Sequence, residues 1–150
     1  MSIKGTAFIA GIYEHPTRKA VGISLPQIHA EVAKGALDDA GLSLSDVDAY
    51  FCAGDAPGLG GLSMVDYLGL DVKHVDATET GGSSYIVHVN HAAQAIAAGK
   101  CRVALITLAG KPRTGGAAPG RGAMAVAPPD SAFEAPFKPS VLNIYAMCAQ

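Results

Sequence analysis

The chain has 150 residues, with 11 Lys plus Arg against 13 Asp plus Glu, for a formal charge of −2. Charged residues are only 16% and hydrophobic residues 49%, which excludes a disordered chain. There is no basic excess and no Lys/Arg stripe, which disfavours nucleic-acid binding. The length fits one domain, and the low charge with abundant Ala and Gly predicts burial in an oligomer, in a larger parent chain, or in both.

Cys52, Cys101 and Cys148 are widely spaced and form no CxxC or Cys/His pattern. They support neither a disulfide framework nor a zinc site, and free thiols fit a reducing cytosol. The N-terminus lacks a signal-peptide charge block. The longest apolar run, Val103 to Gly110, is too short to span a bilayer. The expectation is a cytoplasmic protein without a membrane span.

In chain order, residues 3–12 (IKGTAFIAGI) read as a strand buried on both faces. A polar loop over 13–22 leads to Ser24-Leu25-Pro26-Gln27, a capping box with Pro in the first turn. The helix it opens should run from Leu25 to Ala40, with Ile28, Val32 and Ala36 on its apolar face and Gly41 as its cap. Ala49 to Ala53 is a short apolar strand followed by a Gly-rich loop, and Ser63 to Leu68 a short helix. Val72 to Ala77 is a third strand of weaker pattern, placed near an edge or interface.

The turn Thr78 to Ser84 leads into a helix over 83–98, with Ile86, Val89, Ala93 and Ile96 as its apolar face and Gly99 as its stop. Cys101 to Ala109 is a fourth strand, apolar enough for the centre of a sheet. This βαβαβαβ order predicts an α/β fold with one mostly parallel sheet. After Gly110 the chain is rich in Gly, Ala and Pro. Phe133, Phe137 and Val141 suggest packing, and residues 143–150 read as the opening of a helix without a cap. The reading divides the chain into a core, 1–110, and the start of a loop domain, 111–150, in a chain that looks incomplete.

The strongest local feature is the strand-to-helix turn at Thr78–Ser84. In doubly wound folds the carboxyl ends of strands carry the ligand site, and a helix N-terminus offers free N–H groups. The plainer alternative is a tight turn that caps a helix. GxGxxG is absent, and Gly110-Lys111-Pro112 is not a P-loop. His88 and His91 lie three apart but lack a third ligand, so they fit a helix surface or subunit contact better than a metal site. His15, His29 and His74 stand alone. Lys111 and Arg113, at the end of the fourth strand, either meet an anionic ligand or are solvated.

The pieces AFIAGIYEHP, HAEVAKGALDDAGLSLSDVDAYFCAG, AAQAIAAGKCRVALITLAGKPR and FEAPFKPSVLNIYAMCAQ, in this order, resemble the N-terminal half of thiolases. The resemblance is to the sterol-carrier-protein or lipid-transfer type and to acetyl-CoA acetyltransferases. It implies a layered αβαβα architecture, acyl-CoA substrates and a tight homodimer or higher oligomer. It also implies no cofactor beyond the CoA thioester as substrate, no metal, and a chain shorter than half of the usual enzyme.

Thiolases place a Cys at the start of the helix after the third strand, as Cys-x-Ser-Gly. Registering the helix on Ile96, Gly99 and Val103 puts Gly82 at the Cys, Ser84 at the motif's Ser and Tyr85 at its Gly. Ser83, beside the vacant position, is a poor substitute because a hydroxyl needs a base. The expected site is therefore Gly82 and Ser83 at the nucleophile position, with Ser84, Lys111 and Arg113 as substrate-binding residues.

The resemblance implies a thiolase-fold acyl-CoA enzyme that makes or breaks a C–C bond without the cysteine. Some such relatives are retro-aldolases on β-hydroxyacyl-CoA, especially on steroid side chains, and work with a small partner carrying an OB-fold and a zinc ribbon. The alternatives are a thiolase proper with an unusual nucleophile, or a non-catalytic subunit that binds acyl-CoA.

Overall fold

The computed structural model describes residues 3–114, 131–137 and 141–150. Three short strands, β1 (Ala49–Phe51), β2 (His74–Asp76) and β3 (Ala104–Ile106), form a parallel sheet in the order β2-β1-β3. Helices α1 (Leu25–Ala40) and α2 (Gly61–Leu68) cover one face, and α3 (Ser84–Ala97) the other. Helices α4 (Ser131–Glu134) and α5 (Val141–Cys148) follow. Phe133 and Phe137 are exposed rather than packed. Among the described residues no helix is long and apolar enough to cross a membrane.

The period-2 alternation of β1 builds both halves of the core. Tyr50 and Cys52 face Ala33 and Leu37 of α1 and Met64 of α2, while Ala49 and Phe51 face Ala92 and Ala95 of α3. Burying a side chain such as Phe51 is worth about 2–3 kcal/mol. Asp48 fixes the β1–β3 register, since its Oδ1 accepts from the amides of Arg102 (2.8 Å) and Val103 (2.9 Å).

The first helix has the bounds its sequence predicts. Ser24 Oγ accepts from Gln27 N, and Gly41 closes the helix in the left-handed region at φ 68°. The reciprocal half of the capping box is absent, because the Gln27 side chain donates to Glu31 instead (2.8 Å).

Three expectations change. The segment expected as a first strand is not part of the sheet. It lies against α1: Ile12 N donates to Asp39 (2.9 Å), and a Cβ on Gly11 would stand 2.3 Å from the Ala36 carbonyl oxygen. The fourth predicted strand is an edge, not the centre. β1 takes the middle position, and the far edge of β3 carries no strand among the described residues. The face of α3 is also rotated. Ile86 is 76% exposed and Val89 42%, while Ser84, His88, Ala92 and Ala95 are buried. Ala92 and Ala95 let this part of α3 approach the sheet closely, while His88 packs against Phe51 with ring centroids 5.9 Å apart.

Gly11 allows the close approach of its segment to α1. Gly11→Ala should destabilise the protein by about 1–3 kcal/mol, the usual range for overpacking. Faster hydrogen exchange at the Ile12 amide would show that the segment has lifted from α1; unchanged exchange and stability would contradict this packing.

Candidate active site at the start of α3

The turn between β2 and α3 is held by its own side chains. Ser84 is fully buried; its Oγ accepts from Thr80 N (2.8 Å) and donates to the Gly81 carbonyl (2.7 Å). Glu79 accepts from Gly81 N through Oε1 and from Gly54 N through Oε2, tying the turn to the loop after β1. Ser83 is exposed and adopts a helical conformation, and its hydroxyl donates back to the Thr80 carbonyl (3.0 Å) rather than capping α3. Gly82 has open space where a Cβ would stand, and its φ lies outside the left-handed region, unlike Gly81 at φ 72°.

A cleft of about 910 Å³ runs along the open edge of β3. One wall is the 7–15 segment with Phe8, Ile9 and Ile12 exposed; the other carries Ile86 and Val89 of α3. Gly82, Lys111 and Arg113 all line this cleft, so three of the five expected site residues come together. Ser83 and Ser84 do not line it. Lys111 Nζ donates to the Ile23 carbonyl, and Arg113 is exposed.

Behind the turn lies a buried polar network that sequence reasoning missed. Asp55, in the loop after β1, has a side chain 2% exposed. Its Oδ2 accepts from Ala109 N (2.7 Å) and its Oδ1 from the Tyr85 hydroxyl. His29 of α1 is fully buried, with Nδ1 2.8 Å from Thr107 Oγ1 and Nε2 3.4 Å from Asp55 Oδ2. Tyr50 OH is 2.6 Å from the same Thr107 oxygen. Burial pushes the His29 pKa down against the opposing pull of Asp55, so the imidazole is neutral.

An Nε2 proton facing Asp55 requires that Thr107 donate to His29 Nδ1 and Tyr50 to Thr107, since each hydroxyl has one proton to give. Burial, then the hydrogen bond to Asp55, pushes the Tyr85 phenol well above its ordinary value. The only sequence signal for this network was an acidic residue inside an otherwise apolar Gly/Pro loop at a strand end.

No described thiol replaces a nucleophile at this turn. Burial, with Asp55 nearby, pushes the Cys52 thiol up to about 12, and Cys101 is buried and raised as well. His88, expected on a helix surface or at a subunit contact, is fully buried within the chain, with Nε2 donating to the Thr78 carbonyl (2.9 Å). His91 pairs with Asp76 at 2.6 Å. Among the described residues no cluster of His, Cys, Asp or Glu could hold a metal ion.

Burial raises Asp76, but hydrogen bonds from Thr78 and His91 outweigh it and hold the carboxyl at about 2. A depressed carboxylate stabilises the fold fully above its unfolded value near 4, and the gain is lost as pH falls through about 2. Asp76→Asn should therefore lower stability at neutral pH by on the order of 1 kcal/mol. Urea unfolding at pH 7, 4 and 2 should show the gap to wild type closing between pH 4 and 2; a gap that persists at pH 2 would contradict this account.

The layered arrangement, the parallel sheet and the site at the strand ends define an α/β protein of thiolase-like fold. Solved structures agree. An "Ltp2-ChsH2(DUF35) aldolase" is 27% identical with a TM-score of 0.66, covering 86% of this chain and 32% of that one. A monomeric SCP2-thiolase-like protein type 1 from Mycobacterium smegmatis is 25% identical with a TM-score of 0.52, covering 65% and 22%. The 3-oxoacyl-[acyl-carrier-protein] synthase III of Aquifex aeolicus VF5 is 21% identical with a TM-score of 0.51, covering 59% and 30%, a likeness of fold alone.

These neighbours support a relationship of the chain to the SCP2-like members of the thiolase superfamily. The chain spans about a third or less of the length of each. No protein-family model and no curated protein matches it.

Proposed function

We propose that this chain is part of an enzyme that cleaves the Cα–Cβ bond of a β-hydroxyacyl-CoA by acid–base chemistry, without an acyl-enzyme. The observation that carries this reading is Gly82. The position that aligns with the thiolase nucleophile has no side chain, and the other described thiols near the sheet are buried and held protonated. The aldolase among the structural neighbours supports the same reaction class.

A β-hydroxy thioester needs only to lose its hydroxyl proton and have the resulting enolate protonated, so no covalent nucleophile is required. The apolar walls of the cleft suit an acyl chain, and Lys111 and Arg113 on its lining offer cations for the phosphates of CoA. A homodimer and an OB-fold/zinc-ribbon protein are the partners this reading carries, checked by sedimentation and co-purification. No cofactor or metal enters the step.

The test is to incubate the full-length protein with a panel of β-hydroxyacyl-CoA thioesters and follow the products. The expected result is acetyl-CoA plus the aldehyde or ketone, for example acetaldehyde from 3-hydroxybutyryl-CoA. Acetyl transfer between acyl-CoA molecules with no carbonyl product would overturn the reading in favour of a thiolase proper.

A further inference from the structure

We propose that Tyr85 and Asp55 form the proton relay of this reaction, with Tyr85 the residue that meets the substrate hydroxyl and Asp55 the final acceptor; the inference rests on the retro-aldol reading above. Gly82, just before the N-cap of α3, and Tyr85, in its first turn, both line the cleft. Tyr85 is the one half-exposed member of a network whose other side chains, His29, Tyr50, Asp55 and Thr107, are all buried. Tyr85 thus lines the cleft while its hydroxyl is bonded to a carboxylate that solvent hardly reaches.

The surroundings of Asp55 favour this role in addition to that of a structural anchor. Every group around it is a donor aimed inward: the Tyr85 hydroxyl, the Ala109 amide and, at 3.4 Å, His29 Nε2. Among the described residues no Lys or Arg side chain pairs with it. A buried carboxylate without a cation is expensive, and a fold that needed only a tether at this point could use a neutral amide. His29 Nε2 finds no hydrogen bond within normal distance. It is placed to close on Asp55 as charge on the carboxylate changes. Of the other titratable groups near Tyr85, Glu79 and Cys52 push the phenol up, and His88, whose ring stands edge-on to that of Tyr85 at 5.8 Å, is turned to the Thr78 carbonyl through Nε2. The proton is accordingly passed in concert rather than stored on a phenolate.

The step balances. The substrate hydroxyl gives its proton to the Tyr85 oxygen as the Tyr85 proton passes to Asp55 Oδ1. The Cα–Cβ bond breaks, leaving a carbonyl on the former hydroxyl carbon and its electron pair on Cα as the thioester enolate. A solvent proton converts the enolate to acyl-CoA, and Asp55 returns its proton through Tyr85 to solvent.

The experiment uses the full-length protein, 3-hydroxybutyryl-CoA and the best substrate of the panel. Tyr85→Phe should lower kcat by about 100-fold or more, the usual weight of a positioned acid or base, with KM changed less than about threefold and the protein still folded by circular dichroism. Single turnovers of the wild type in D2O should show a solvent isotope effect that the variant loses. Wild-type cleavage with Tyr85→Phe retaining more than about a tenth of kcat would overturn the relay and leave the reaction standing. Cleavage without a wild-type isotope effect would overturn it too, even where the variant failed to fold. A wild type that cleaves no member of the panel would overturn the reaction and the relay together.

Discussion

Asp55→Ala is expected to destabilise the protein by about 3–5 kcal/mol, the cost of removing one partner from a buried charged cluster. The change strands three donors at once. The Tyr85 hydroxyl and the Ala109 amide lose their acceptor, and His29 Nε2 loses the group it faces. These donors come from α1, the start of α3 and the segment after β3, so the loss loosens three elements around the strand ends. In urea the midpoint should fall with little change in slope, which marks lost stability rather than a changed unfolded state. Asp55→Asn should be milder, since its amide oxygen still accepts from Tyr85. An Asp55→Ala variant within about 0.5 kcal/mol of wild type would show that the cluster is not a structural centre.

Gly82→Cys should create a fast-reacting thiol. The position has no steric obstacle, because a Cβ there meets nothing within 4 Å and the backbone needs no positive φ. The first turn of α3 leaves amide N–H groups and the positive end of the helix dipole beside the new sulfur. These lower a thiol below the free value of about 8.5. A drop of about one unit raises the thiolate fraction at neutral pH roughly eightfold, and since a less basic thiolate is also a weaker nucleophile, alkylation by iodoacetamide should be about threefold faster than that of an ordinary thiol. Cys52 and Cys101 are buried and held protonated, while Cys148 is exposed. The comparison therefore uses a Cys148→Ser background, with folding checked by circular dichroism. A well-folded variant whose thiol reacts no faster than a free one would reduce the turn to a cap. Full thiolase activity is not expected, since the Cys alone supplies no acid–base partners.

The elements with strong local signals were legible in the sequence. Helix α1 carries its own start and stop in Ser24, Pro26 and Gly41, and its bounds followed from them. Gly99, at φ 71°, likewise marked the end of α3. What the sequence did not show depends on distant partners. Residues 7–12 have the composition of a buried strand, yet pairing is decided by what lies beside them, and Gly11 seats them on α1 instead. The apolar Ile86 and Val89 suggested the buried face of α3, but tight packing selected the small residues Ala92 and Ala95.

The site divides in the same way. Gly82, Lys111 and Arg113 were singled out because the ends of parallel strands gather ligands, and all three line one cleft. The Asp55 network was missed because His29 and Thr107 are 78 positions apart and Asp55 and Tyr85 are 30 apart. No local spacing rule joins residues so separated. Tyr85 was visible only as a departure from a motif, and its meaning came from the carboxylate it reaches.

The central claim is carbon–carbon bond cleavage without a covalent intermediate. The most direct measurement is the intact mass of the full-length wild-type protein, quenched during turnover of a β-hydroxyacyl-CoA. The account predicts unmodified protein while acetyl-CoA and the carbonyl product accumulate. An acetyl adduct on the protein that forms and decays at the rate of turnover would contradict it.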